Sequence, residues 1–428
     1  MALRREEGQA MSTSTSGEPD PRTPEAERSK ERHAGWLELF YDLLFVVLVA
    51  QLAHPLLQHP QWQAVLRLLV LFLPAWWMWV GSTLYTNLTG EAEAERRLDV
   101  VAQMAILVVM AGAATQAAHG HPSLFAGAYA ASRLEVVAFR VLARRRWPTG
   151  GANWPLIVSA VLWAASSFLD RPAAYLLWSV GLAVEIVPWL AGRPGGSSLR
   201  TRLVEGRVES GHLVERFGLF MIIVLGEGIA QIVAAITATD AAASAVITGL
   251  AAFAVVAMLW WLYFDFGSSA AEETLSARPE ETFRLIRSVF MIGHFLPVVT
   301  LLALAAGLGG LVNSAAQDRP AGDALRLCCV ALGAYLLNNA VTAVRMLGYP
   351  LGRVLPWLVP NLALLLVLAL LADHLIPMVA LFSVSVCLAM ETLPTMRRRG
   401  TPGQTRAATG QRGSAPWAPR RWPTSLRR

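Results

Sequence analysis

The sequence predicts an all-α integral membrane protein of about twelve transmembrane helices, arranged as two parallel six-helix repeats. Three observations predict this fold: the composition, a series of long apolar runs, and similarity between the two halves of the chain. Of the 428 residues, 55% are hydrophobic and 15% are charged, and the mean hydropathy is +0.46. Soluble globular proteins average about 25% charged residues. The composition therefore excludes a soluble protein.

The first apolar run covers Trp36–His54 and reads WLELFYDLLFVVLVAQLAH. A run of about twenty residues is long enough to cross the hydrocarbon core of a bilayer. Glu38 and Asp42 lie four residues apart in this run, so their side chains share one face of a helix. Because acidic side chains are costly at depth in a membrane, we expect both to lie near an interface or against protein.

Eleven further apolar runs follow, and each of them predicts a helix. They lie near residues 62–85, 99–119, 122–143, 154–169, 173–191, 212–237, 241–266, 283–309, 323–347, 354–372 and 375–395. The predicted domains are two six-helix repeats at residues 35–192 and 212–396, joined by a cytoplasmic linker at residues 193–211. Residues 1–34 are polar and residues 397–428 are polar and basic, which predicts two disordered tails.

Basic residues predict how the helices cross the membrane. The connections that follow the second and fourth runs carry Arg96–Arg97 and Arg144–Arg146, whereas the odd-numbered connections carry Arg171 and Arg319 alone. Positively charged loops stay in the cytoplasm, so both termini are predicted to be cytoplasmic and the number of spans to be even. The net charge of +6 is explained by these loops and does not indicate a nucleic-acid partner.

The two halves of the chain resemble each other. Ser179–Pro188 (SVGLAVEIVP) and Ser385–Pro394 (SVCLAMETLP) are identical at six of ten positions, at an offset of 206. Tyr129 pairs with Tyr335 at the same offset, and Glu38 pairs with Glu215 earlier in the chain. An even number of helices per half makes the second repeat enter the membrane in the same orientation as the first. The halves are therefore predicted to be parallel repeats.

Three short motifs carry a resemblance to a known family. They are ELFYDLLFV at residues 38–46, ERFGLF at residues 215–220 followed by LGE at residues 225–227, and WWLYF at residues 260–264. In this order they resemble the signatures of the bacterial low temperature requirement protein A family, over roughly residues 33–396. The resemblance implies a multi-pass protein of the bacterial inner membrane, linked by name to growth in the cold. It names no substrate and no reaction.

Three charged residues are predicted near the middle of the membrane: Glu227, Arg133 and Glu135. Glu227, flanked by two glycines, lies about 20 Å along the seventh helix. It is interpreted either as a proton- or cation-binding carboxylate or as a protonated side chain that bonds a neighbouring helix. Arg133 does not release its proton, so it requires a carboxylate or an anionic ligand opposite it. Glu227 is the nearest such candidate by depth.

Three further polar residues are candidates for a substrate- or proton-binding site. His294, about ten residues into the predicted ninth helix, is interpreted as a packed core residue or as a proton relay. Asn338 and Asn339 lie on the tenth helix at the level of Arg133 in the first repeat. They either join helices through hydrogen bonds or line a polar path.

A larger set of charged residues gathers toward the cytoplasmic ends of the helices: Glu38, Asp42, Glu185, Glu215, Arg216, Asp265, Glu391, Arg140 and Arg345. The repeat places Glu38 beside Glu185 in one half and Glu215 beside Glu391 in the other. We expect two symmetric clusters with a mostly structural role, and a cytoplasmic gate is the alternative.

These features predict a transporter of an unknown small solute, with proton coupling as an option and a polar patch between the repeats. A membrane sensor or scaffold without flux and an intramembrane enzyme are the alternatives. A polar cavity between the halves would favour transport, and a dry packed interface would favour a scaffold. The chain contains no phosphate-binding loop, zinc-binding HExxH or GxSxG motif, and its three cysteines lack metal-ligand spacing. The sequence therefore predicts no metal and no cofactor, and it leaves the oligomeric state open.

Overall fold

A computed structural model of the chain describes residues 35–58, 62–88, 93–144, 153–170, 172–190, 210–264, 292–345 and 348–399. The secondary structure in these ranges consists of helices joined by turns. The described ranges contain twelve helices: α1 Trp36–Gln58, α2 Trp62–Leu88, α3 Glu93–His119, α4 Ser123–Arg144, α5 Trp154–Ser166, α6 Ala173–Leu190, α7 Ser210–Ala238, α8 Ala243–Leu262, α9 Phe295–Ala316, α10 Gly322–Arg345, α11 Leu351–Leu370 and α12 Pro377–Arg399. The predicted tails lie outside the described residues, apart from the last turn of α12, and so does most of the predicted linker.

Eight of these helices are long and apolar enough to cross a membrane: α1, α2, α3, α7, α8, α9, α10 and α11. Helices α5, α6 and α12 contain shorter apolar stretches. Helix α4 falls outside both groups because Arg133, Glu135 and Arg140 interrupt its apolar sequence. The structure thus confirms an all-helical protein with twelve helices in the described ranges and eight candidate spans. Twelve spans stay a prediction.

Helix α9 lies at the centre of the bundle. It packs against α7, α8 and α10 and also touches α1, α2 and α12. Its sequence is apolar on every side, and most of its residues are buried, as expected for a helix surrounded by others. A side-chain carbon added at Gly307 would lie 2.5 Å from Sγ of Cys328 and 3.0 Å from the carbonyl oxygen of Ala324. Glycine at this position therefore lets α9 and α10 approach closely.

The helices within each half pack in a similar order. In the first half α1 packs on α3, α3 on α4 and α4 on α5; in the second half α7 packs on α9, α9 on α10 and α10 on α11. The last helices differ, because α6 packs mainly on α5 whereas α12 packs mainly on α8. The two groups of six helices meet where α1 and α2 contact α7 and α9.

Aromatic rings fill the contact between the two groups of helices. The ring centroid of Trp79 lies 4.5 Å from that of Phe220 and 4.8 Å from that of Phe217. Phe45 lies 5.7 Å from Phe220, and Trp76 stacks on Trp79 at 5.4 Å. All five side chains are buried. This part of the interface is therefore densely packed, and each large ring contributes buried apolar area and favourable ring geometry.

Candidate functional site

A buried ion pair joins α1 to α7 beside these aromatic rings. Arg216 donates from Nη2 to Oδ1 of Asp42 at 3.2 Å and from Nε to Oδ2 at 3.4 Å. The indole Nε1 of Trp79 also donates to Oδ1 of Asp42, at 2.7 Å. Asp42 is 0% exposed and Arg216 is 1% exposed. The guanidinium thus neutralises the carboxylate, and the indole supplies a further hydrogen bond that a buried charge requires.

A second pair lies one turn earlier on both helices. His212 Nε2 is 3.0 Å from Oε2 of Glu38, which also accepts a hydrogen bond from the backbone N–H of Gly35 at 3.3 Å. An acidic residue in the first turn suits the positive end of the dipole of α1. The residue numbers of the two pairs rise together, from 38 and 212 to 42 and 216. Helices α1 and α7 therefore run in the same direction where they meet.

A third buried charge cluster lies in the first group of helices. Arg133 of α4 donates from Nη1 to Oε2 of Glu185 on α6 at 3.2 Å. The hydroxyl of Tyr129 donates to Oε1 of the same carboxylate at 3.3 Å, and the guanidinium of Arg133 lies 4.7 Å from the centre of the Tyr129 ring. The ring of Trp163 packs on Tyr129 at 4.3 Å. Both oxygens of Glu185 thus accept hydrogen bonds, one from Arg133 and the other from Tyr129.

Two sequence-based pairings are wrong. Arg133 pairs with Glu185 rather than with Glu227, and Glu38 pairs with His212 rather than lying beside Glu185. The physical reason is the same for both. Position along a helix gives depth in the membrane but does not determine which helices are neighbours, and α7 packs against α1, α8 and α9.

Glu227 lies in the middle of α7, within the candidate span His212–Ala238. Its carboxylate accepts a hydrogen bond from Nε2 of Gln231, one turn further along the same helix face. The side chain is half-buried, and the neighbouring Gly228 lies against Val256 of α8 and Ala305 of α9. Glu227 therefore lies in the interior of this candidate span, with an amide rather than a cation as its hydrogen-bond partner.

His294 lies at the end of α9 rather than in its interior. Residues 293–294 form a turn and α9 begins at Phe295, directly after His294. The predicted position about ten residues into a helix depends on residues 283–291, which lie outside the described residues, so it stays a prediction. The imidazole Nε2 lies 2.9 Å from the hydroxyl of Tyr263, and the ring packs edge-on against Phe217 at 5.0 Å.

Asn338 belongs to the same region. Its amide Nδ2 donates to the backbone carbonyl of Gly293 at 3.1 Å, which links α10 to the turn before α9. Asn339 is half-buried on the same helix. The contact of Asn338 matches the interpretation in which this residue joins helices through hydrogen bonds.

The remaining charged residues of the predicted inner clusters are spread out. Arg140 donates to Oδ1 of Asn153 at 3.3 Å, whereas Glu215 and Arg345 are exposed. Asp265 lies outside the described residues, and the side chain of Glu391 on α12 is likewise not described. The predicted pairing of Glu215 with Glu391 therefore stays a prediction.

Sequence reasoning named Glu135 but did not predict that it lies with Asp99 and Gln103 between α3 and α4. Gln103 donates from Nε2 to Oδ2 of Asp99 at 3.2 Å, and Glu135 of α4 lies beside both. The signal in the sequence was the spacing of four between Asp99 and Gln103, which puts both on one face of α3. Only the packing of α4 on α3 brings Glu135 to that face.

These arrangements differ in what they can do chemically. The Asp42–Arg216 and Glu185–Arg133 pairs are neutral as units and suit a structural role. Glu227 and Glu135 have no cationic hydrogen-bond partner among the described side chains, so they suit the uptake and release of a small cation. The described residues include no group of three His, Cys, Asp or Glu side chains placed to hold a metal ion.

Comparison with known proteins places the chain in a family. A protein from Rhizobium meliloti (strain 1021), whose name is "Uncharacterized protein RA0937", is 28% identical over 286 residues, which cover 64% of this chain and 68% of the relative. No solved structure matches the chain. The family model described as "Bacterial low temperature requirement A protein (LtrA)" matches residues 33–391, which include all three motifs and every helix through α11. The chain therefore belongs to the bacterial low temperature requirement A family.

Proposed function

We propose that this protein is a transporter of a small solute in the bacterial cytoplasmic membrane, with proton coupling through an intramembrane carboxylate. In this proposal all twelve helices cross the membrane as two parallel six-helix repeats, and both termini are cytoplasmic. The like direction of α1 and α7 at the Glu38–His212 and Asp42–Arg216 contacts supports a parallel repeat. The similar packing order within each half supports it as well.

The observation that carries the proposed function is the environment of Glu227. The residue lies fifteen positions beyond His212, where its candidate span begins, and therefore about 22 Å along the helix. An ionisable side chain at that depth is costly, and such residues usually mark ion or substrate pathways. Its partner Gln231 is uncharged, so the carboxyl group keeps the ability to exchange a proton or bind a cation.

A specific observation favours a second candidate function, a membrane sensor or scaffold that carries no flux. Rings of Phe45, Trp79 and Phe220 fill the contact between α1, α2 and α7, together with a fully buried ion pair. A dry contact of this kind suits a static joint. If the protein transports, we therefore place the polar path beside this contact, along Glu227 and the neighbouring faces of α8 and α9, rather than through it.

The experiment uses the purified full-length protein in liposomes loaded with a pH-sensitive dye. Gradients of pooled ions, amino acids, sugars and drugs are imposed in turn, on wild type and on Glu227→Gln. The control is Glu215→Gln, which makes the same chemical change on the same helix at an exposed position. We expect solute-dependent proton movement in wild type and in the control, and its loss in Glu227→Gln.

Other outcomes of this experiment distinguish the transporter from the sensor or scaffold. Equal solute-dependent flux in all three proteins would keep the transporter and give Glu227 a packing role. Absence of flux in all three proteins, with unfolding temperatures that match, would overturn transport of the tested solutes and favour the sensor or scaffold.

A further inference from the structure

A second buried acidic group lies away from Glu227, between α3 and α4. It consists of Asp99, Gln103 and Glu135. Asp99 is 2% exposed and Gln103 is 4% exposed. The candidate span of α3 begins at Arg97, two residues before Asp99. The group therefore lies near one end of that span.

Glu135 is the unusual member of this group. Both of its carboxylate oxygens are enclosed by protein, and neither accepts a hydrogen bond within the described part of the chain. An ionised carboxylate in that situation would lose its hydration without compensation. Arg133 is on the same helix, but its Nη1 donates to Glu185, so its charge is already neutralised there. The surroundings therefore disfavour an ionised Glu135.

The neighbouring side chains disfavour the ionised form of Glu135 further. Asp99 presents a second carboxyl group, and like charges at short range in a low-dielectric site do not ionise together. Gln103 uses its amide N–H to donate to Asp99, at 3.2 Å. Two carboxyl groups therefore lie side by side, where a single proton would remove the repulsion between them.

We propose that Asp99 and Glu135 form a proton-binding site in which the two carboxyl groups hold one exchangeable proton between them. The proton adds to one carboxyl oxygen of Glu135, and Asp99 keeps its hydrogen bond from Gln103. On release, the O–H bond of Glu135 breaks and the proton passes to water at the nearby end of α3. This site stands whether or not the protein transports a solute.

The test is infrared spectroscopy of the full-length protein in lipid nanodiscs, as a function of pH. A protonated carboxyl group has a C=O stretching band that an ionised carboxylate lacks. The variants are Glu135→Gln, which keeps the shape of the protonated acid, and Asp99→Asn, which replaces the second carboxyl group by an amide. The control is Glu215→Gln, the same exchange at an exposed glutamate.

We expect a protonated-carboxyl band in wild type at neutral pH that disappears at high pH. Glu135→Gln removes this band, Asp99→Asn shifts its frequency because the neighbour of Glu135 changes, and Glu215→Gln leaves it unchanged. A band that persists unchanged in both Glu135→Gln and Asp99→Asn would overturn the proposal. Sodium-dependent shifts of carboxylate bands at constant pH, without a protonated band, would overturn it as well and assign the pair to a sodium ion. The infrared measurement does not require solute flux. A result that overturns the proton-binding site is therefore distinguishable from one that overturns the proposed transport.

Discussion

Arg216 of α7 holds both carboxylate oxygens of Asp42 of α1, and neither side chain is exposed to solvent. The pair joins the first group of six helices to the second at a point where the surrounding contacts are aromatic. A buried charge pair of this kind contributes little net stability compared with apolar residues, but losing one partner leaves an uncompensated charge. Removing one partner of this pair is therefore expected to lower stability more than removing both.

Replacing Arg216 alone tests the importance of its ion pair with Asp42. We expect Arg216→Met to lower the free energy of unfolding by about 3–5 kcal/mol, because the carboxylate of Asp42 is left buried without a counter-charge. The double variant Asp42→Asn/Arg216→Met removes that charge as well and recovers part of the loss. The measurement is thermal unfolding in detergent, with Glu215→Gln as the exposed control. A single variant as stable as this control would contradict the prediction.

The two hydrogen-bond donors to Glu185 are expected to contribute different amounts to the free energy of unfolding. Tyr129→Phe removes one neutral hydrogen-bond donor to Glu185, so we expect a loss of about 0.5–1.5 kcal/mol. Arg133→Met removes the counter-charge of the same carboxylate, so we expect the larger loss of about 3–5 kcal/mol. Denaturation measured for both variants checks the order. A reversed order would mean that the hydroxyl, rather than the guanidinium, is the main partner of Glu185.

The close approach of α9 and α10 gives a packing prediction. Gly307→Ala places a methyl group 2.5 Å from Sγ of Cys328, so the two helices must separate or the thiol must move. We expect a loss of about 1–3 kcal/mol from overpacking. Gly112→Ala on α3 is the matched control, because a carbon added there meets nothing within 4 Å. Equal unfolding temperatures for the two variants would contradict the packing of α9 on α10.

The three cysteines report on the interior of the second group of helices. Cys328, Cys329 and Cys387 form no disulfide and are buried, at 1%, 4% and 0% exposure. We expect a polar maleimide reagent to label them slowly in the folded protein and fully after denaturation. A cysteine introduced by Glu215→Cys at an exposed position is the positive control. Rapid labelling of the native thiols would show that α9, α10 and α12 pack less tightly than the structure has them.

Some features of the site follow from sequence because they depend on a single helix. Glu227 lies within the candidate span of α7, as its distance from the start of the apolar run predicts. Asp99 and Gln103 share a face of α3 because of their spacing alone. His294 shows the limit of this reasoning, because an apolar run does not reveal the turn at residues 293–294 that directly precedes α9.

The sequence by itself determined the helical fold class, the family and the number of helices in the described ranges. These follow from apolar runs, which must satisfy their backbone hydrogen bonds internally in a membrane. Only the tertiary structure decided that Asp42 meets Arg216, that Arg133 meets Glu185 and that Glu135 lies beside Asp99. Such pairings depend on which helices are neighbours and how each is rotated about its axis. Those quantities come from packing over the whole bundle, in which a helix such as α9 contacts six others among the described residues.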